Sequence, residues 1–168
     1  MKALLFSFLD LANDWFPADG RFLAAYARDF LAMEEVKPQS LYPYTAALAR
    51  SIIAYYDNNV DLAEKELIEM ETLLPPGYPD SVVLAKQACV YWALIREKRG
   101  DLKGAEASLL ALANDSAYIQ SQTARINSRQ MLYEFYSRHG QREAADRYLL
   151  EFYKIKEEIA AGGNNESV

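Results

Sequence analysis

Cysteine, histidine, glycine and proline are all scarce in this chain of 168 residues, which has one Cys, one His, 7 Gly and 6 Pro. The single Cys89 excludes an internal disulfide framework and fits a reducing compartment. The single His139 leaves no Cys/His zinc cluster, and neither a Glu-x-x-His metal spacing nor a phosphate-binding glycine loop is present. Basic residues are also in deficit, 18 against 24 acidic, for a net charge of −6. A nucleic-acid footprint needs clustered Lys and Arg, so no nucleic-acid partner is expected; the negative balance reads as solubility. No stretch approaches the ~20 uncharged apolar residues of a membrane span. The apolar opening segment is interrupted by Asp10, Asn13 and Asp14 and lacks the small-residue cleavage site of a signal peptide. No membrane partner is expected, and the cytoplasm is the expected location.

What is abundant is helical periodicity. With 51% hydrophobic and 25% charged residues, the composition is that of a folded globular chain. Between Asn59 and Leu74, apolar residues fall at Leu62, Ala63, Leu67, Met70, Leu73 and Leu74, steps of three and four that build one stripe. Ala144, Ala145, Tyr148, Leu149, Phe152, Ile155 and Ile159 repeat the device. Gly100 and Gly140 suit left-handed helix ends, and Asp101 suits the cap of the helix that follows. Pro75-Pro76-Gly77-Tyr78-Pro79 breaks the chain outright. These signals predict eight helices near 2–15, 19–35, 40–57, 60–74, 81–99, 102–113, 116–138 and 142–160. They form pairs at roughly 2–35, 40–74, 81–113 and 116–160, with a flexible tail or linker over 161–168.

The segments share a register. Aligned on Asp19, Asn59, Asp101 and Gln141, the chain places Leu23, Ala63, Ala105 and Ala145 four residues on. Eight residues on stand Ala27, Leu67, Leu109 and Leu149, and eleven on stand Phe30, Met70, Leu112 and Phe152. Ala18, Asn58, Gly100 and Gly140 stand just before the anchors, mostly residues that a tight turn prefers. Gly100-Asp101-Leu102 with Ala105, Leu109 and Leu112 resembles the second helix of the tetratricopeptide repeat family. Gly140 with Ala145, Leu149 and Phe152, and Asn58-Asn59-Val60 with Ala63, Leu67, Met70 and Pro75, follow the same pattern. The first pair is degenerate, with Leu23 at the small position and no clear turn glycine. The period exceeds the family's usual one, and the glycine-like site of each first helix reads Leu11, Ser51, Ala93 and Tyr133.

The resemblance implies an all-α fold, a right-handed superhelix of about four antiparallel helix pairs. It also implies a non-enzymatic role, binding a partner protein or peptide in a concave groove lined by the first helix of each pair. Counted from the anchors, the groove-facing positions are Leu48, Ile52, Tyr55 and Tyr56 in the second pair. The third pair offers Gln87, Val90, Tyr91, Leu94 and Lys98, and the fourth Asn127, Gln130, Glu134 and Arg138. The face thus grades from apolar and aromatic to polar, as an amphipathic peptide would require. The competing reading makes the aliphatic positions core. A second functional reading is a regulatory segment of a larger bacterial signalling protein, upstream of a diguanylate cyclase or a transcription-regulator output domain.

No catalytic centre, cofactor or metal is expected. His139 precedes a helix break, where it would serve the helix end, and Cys89 reads as a small apolar residue within a long helix. The carboxylates Glu64, Glu66, Glu69 and Glu71 have cations nearby, as solvated faces do. Trp15, Phe30, Trp92 and Phe152 are expected in packing. Apolar residues at the two ends of the array, Phe6, Phe8, Leu9 and Leu11 and then Phe152, Tyr153 and Ile155, make self-association through an end an expectation as well.

Overall fold

The computed structural model describes residues 20–33, 42–73 and 81–163. The described residues are all-helical, with no strand. Seven α-helices run in the order α1 (Gly20–Ala32), α2 (Tyr42–Tyr56), α3 (Val60–Leu73), α4 (Ser81–Lys98), α5 (Leu102–Ala113), α6 (Gln122–Arg138) and α7 (Arg142–Gly163), with a short 3-10 turn at Tyr118–Gln120. The expected helix over 2–15, Trp15 and the leading apolar residues lie outside the described residues. The chain divides into two compact units, Met1–Ala105 and Glu106–Val168, the boundary falling early in α5.

Three corners of this chain are built alike. Asn58, Gly100 and Gly140 adopt positive φ of 62°, 82° and 70°. Just after them, the N–H groups of Asn59, Asp101 and Gln141 reach back to the carbonyls of Ala54, Arg96 and Tyr136 at 2.8, 2.9 and 3.0 Å. The N–H of each left-handed residue bonds three residues back, to Tyr55, Glu97 and Ser137. This pair of bonds is the Schellman closure of a helix, and it satisfies carbonyls that the helix end would leave bare. The same three residues then start the next helix. Asn59 Oδ1 accepts from the Leu62 N–H at 3.2 Å and Asp101 Oδ1 from the Gly104 N–H at 2.9 Å. One three-residue corner therefore ends one helix and caps the next, at intervals of 42 and 40 residues.

The register seen in the sequence is also a register of burial. Leu23, Ala63, Ala105 and Ala145 are all buried, and so are Ala27, Leu67 and Leu109, and Phe30, Met70 and Leu112. Only Leu149 and Phe152, both on α7, are half-buried.

In the first unit, α2 is the central element and packs against both α1 and α3. It buries Tyr44, Thr45, Ala46, Ala47, Leu48, Ala49, Ser51, Ile52 and Ala54, which is burial all round rather than along one stripe. Its small residues let α3 come close, and the Ser51 hydroxyl donates to the Ala63 carbonyl at 2.8 Å. Ala88, Tyr91 and Ile95 of α4 join the same cluster, as do Leu23, Ala27 and Phe30 of α1. Arg50 pairs with Glu66 at 2.5 Å, which compensates the burial of that carboxylate.

The second unit holds most of α5 and the helix pair α6 against α7, with the 3-10 turn packed on α6. Here one stripe of α6 is buried: Ala124, Ser128, Met131, Leu132, Phe135 and Tyr136. Tyr136 stacks on Tyr148 of α7 with ring centroids 5.5 Å apart and planes 4° from parallel, and its hydroxyl donates to Glu106 at 2.6 Å. Arg129 ties the pair together, donating to the Ala113 carbonyl at 2.8 Å and to Glu151 at 2.9 Å.

Two boundaries differ from expectation. The helix predicted from 116 begins at Gln122. Asp115 Oδ1 accepts from the N–H groups of Ala117 and Tyr118 at 2.9 and 3.0 Å, holding a turn, and Ser121 caps α6 through the Ala124 N–H. At the other end α7 continues to Gly163, past the expected start of a tail at 161; helix ends fray over a residue or two. Residues 164–168 lie outside the described residues.

Candidate functional site

The expected groove residues separate into three groups. Leu48, Ile52 and Tyr91 are buried in the core of the first unit, with Val90 also buried. This corrects their placement on an accessible groove: α2 is covered by helices on more than one side, so its apolar residues have no solvent-facing stripe to offer. Burial raises the Tyr91 phenol well above its usual pKa, with the neighbouring Tyr56 and Tyr44 adding to the shift. Gln87 lies on α4, and its side chain is outside the described residues.

A second group sits at the margin of that core. Tyr55, Tyr56 and Leu94 are half-buried. The rings of Tyr55 and Tyr56 meet edge-to-face at 5.1 Å. Lys98 Nζ lies 4.1 Å from the Tyr55 ring centroid and donates to the Tyr55 carbonyl at 2.8 Å and to Asn58 Oδ1 at 3.2 Å. A cation over an aromatic face, bonded to the last carbonyls of a helix, stabilises that helix end. Partial desolvation lowers the Lys98 pKa. Expected as a groove residue, Lys98 instead clamps the α2–α3 corner to the end of α4.

The third group is a polar strip. Asn127, Gln130, Glu134 and Arg138 follow one another by three, four and four residues along α6, flanking its buried stripe. The first three are half-buried and Arg138 is exposed. Gln130 Nε2 donates to Glu134 Oε1 at 2.9 Å, and Arg138 lies 3.9 Å from Glu134. Alternating amide, carboxylate and guanidinium on a rigid helix can pair with a polar partner strand or helix without burying a bare charge.

Other residues singled out in the sequence have packing positions. His139 takes the C-cap of α6, and its ring lies 4.7 Å from the Phe135 ring. Cys89 is half-buried on α4. Phe30 is core, and Trp92 Nε1 donates to Glu71 at 2.7 Å. Among the described residues no group of three or more His, Cys, Asp or Glu is arranged to hold a metal. No helix among them is long and apolar enough to cross a membrane.

The sequence reading overlooked a repeated contact between pairs. Arg99, at the end of α4, reaches Asp61 at 2.6 Å and Glu64 at 2.5 Å, both early in α3. The α1–α2 contact again uses the residue two before an anchor, with the charges exchanged, Arg28 to Asp57 at 2.6 Å, although Arg28 stands nine residues after its own anchor rather than two or five. The signal for it was available: Asp57 and Arg99 each stand two residues before an anchor. Compared with family models, with curated proteins and with solved structures, the chain matches none of the three.

Proposed function

We propose that this chain is a tandem helical-repeat scaffold of the tetratricopeptide type, its pairs stacked into a right-handed superhelix, and that it binds a partner protein or peptide without catalysing a reaction. The observation that carries this reading is the recurrence of one corner. Asn58, Gly100 and Gly140 share a left-handed backbone and one hydrogen-bond pattern, and the positions four residues past each anchor are buried throughout. A chain that repeats its corners and its buried positions at a fixed interval stacks like units, and such arrays present extended surfaces suited to protein recognition.

The polar strip of α6 is a part of the expected binding face in which no residue is fully buried. Its partner is a segment offering complementary amide and charged groups rather than a purely apolar helix. Because Tyr91 is core, truncating it would measure folding rather than recognition. Selection of a displayed helical-peptide library on the full chain, followed by competition with the Gln130→Ala, Glu134→Ala, Arg138→Ala triple variant, tests the reading. Selected peptides should bind the variant about tenfold more weakly while its far-ultraviolet helicity is unchanged. Peptides that bind both proteins equally would remove the strip as the site, and failure to select any above a denatured control would remove the binding role.

A further inference from the structure

The exposed stripe of α7 repeats the residue types of a stripe that receives another helix elsewhere in the chain. In α3, the positions two and five residues after the anchor are acidic, Asp61 and Glu64, and they hold Arg99 from the last turn of the helix that packs there. Farther along the same stripe, Glu71 accepts from Trp92 of that helix. In the second unit, Glu106, five after its anchor, accepts from Tyr136 of α6. In α3 and α5 the stripe is therefore a receiver for a donor near the end of the helix that follows, while α1 reverses the roles, Arg28 donating to Asp57.

On α7 the corresponding residues are Glu143 and Asp146, an acidic pair with the spacing of Asp61 and Glu64. Leu150 and Tyr153 continue the stripe and are 71% and 54% exposed. A recess of about 480 Å³ follows it, lined by Glu143, Asp146, Arg147, Leu150, Glu151 and Lys154. Beside it, Leu149 and Phe152 are only half-buried, whereas Leu67 and Leu109, and Met70 and Leu112, at the equivalent places are buried. A solvent-facing helix stripe is normally polar, and this one presents Leu150 and Tyr153 between charges.

We propose that this stripe receives an amphipathic helix of a partner protein, with an arginine near that helix's end lodged between Glu143 and Asp146 as Arg99 lodges between Asp61 and Glu64. The inference rests on the tandem register but not on the α6 strip.

The probe is a labelled synthetic peptide of residues 81–99, the chain's own arginine-ended helix, titrated into the full chain and followed by fluorescence anisotropy. Saturable binding is expected, weakened about tenfold or more by Leu150→Asp with Tyr153→Asp. The pair Glu143→Lys and Asp146→Lys should weaken the native peptide and restore binding of a peptide carrying Arg99→Glu. The α6 triple variant should bind the native peptide normally, so failure here is distinguishable from failure of the α6 site. The substituted positions are exposed, and circular dichroism checks the fold; if an aspartate variant loses helicity, Leu150→Ser with Tyr153→Ser replaces it. Absence of saturable binding, or binding indifferent to the Leu150 and Tyr153 changes, overturns the proposal. So does sedimentation showing the chain alone associating through these residues, which would make the occupant a second copy.

Discussion

Helices α2 and α6 hold the same place in their pairs, yet they do opposite work. Along α2 six consecutive residues, 44–49, are buried, and Arg50 is the only charged residue in the helix. Along α6 the buried residues form one stripe, and the half-buried to exposed side flanking it carries Asn127, Gln130, Glu134 and Arg138. A helix apolar on every side is core; one apolar on a single stripe keeps a face for solvent or a partner. A shared register therefore fixes where a helix turns inward at its corners, but not how many of its sides are covered.

The largest expected effect tests this contrast directly. Ile52→Ala should destabilise the chain by about 2–5 kcal/mol, the cost of a cavity where side chains cannot collapse. Gln130→Ala at the α6 strip should fall within about 0.5 kcal/mol of the unaltered protein. Urea unfolding measures both, and similar values would erase the distinction between the helices.

Alkali should discriminate next. Burial holds the Tyr44, Tyr91 and Tyr136 phenols above their ordinary pKa of 10.0; Glu71 adds to the shift at Tyr44 and the bond to Glu106 to that at Tyr136. An acid whose folded pKa is raised binds more protons folded than unfolded above pH 10, so its stabilising effect is complete below that pH and is lost as the pH rises. Stability should be level toward pH 9 and fall above about pH 10. Tyr44→Phe and Tyr91→Phe should each flatten that fall, and Tyr136→Phe should flatten it too while losing the bond to Glu106. An alkaline slope unchanged in all three would show that other groups govern it.

The corners give the smallest effect. A Cβ at Gly100 would meet nothing within 4 Å, so Gly100→Ala tests backbone conformation alone and should cost about 1 kcal/mol. Asn58→Gly at the equivalent corner relieves the left-handed backbone but removes the exposed bond from Lys98 to Asn58 Oδ1, so it should change stability by only a few tenths of that. Thermal melts of the two variants should therefore separate; coincident melts would mean that the corners are not equivalent.

Much of this was legible in advance because it is local. A glycine or asparagine followed by a capping residue fixes a corner through bonds spanning five residues, whatever surrounds it. The start of α6 at Gln122 was legible too, in Ser121 as a capping residue. Leu48 and Ile52 were misplaced because an apolar helical stripe is the same in a groove and in a core. The better signal was the near absence of charge from α2. Lys98 looked like a groove cation, and nothing in its sequence neighbourhood places Tyr55 and Asn58 beneath it.

The sequence alone determined the helical class, the spacing of the corners and the buried positions that follow them, since each depends on residues within a turn or two of one another. Tertiary structure decided which helix is covered on all sides, which cation clamps a helix end, and where the stripe of α7 stays exposed. Those outcomes depend on residues brought together from tens of positions apart, and no local pattern encodes which neighbour arrives.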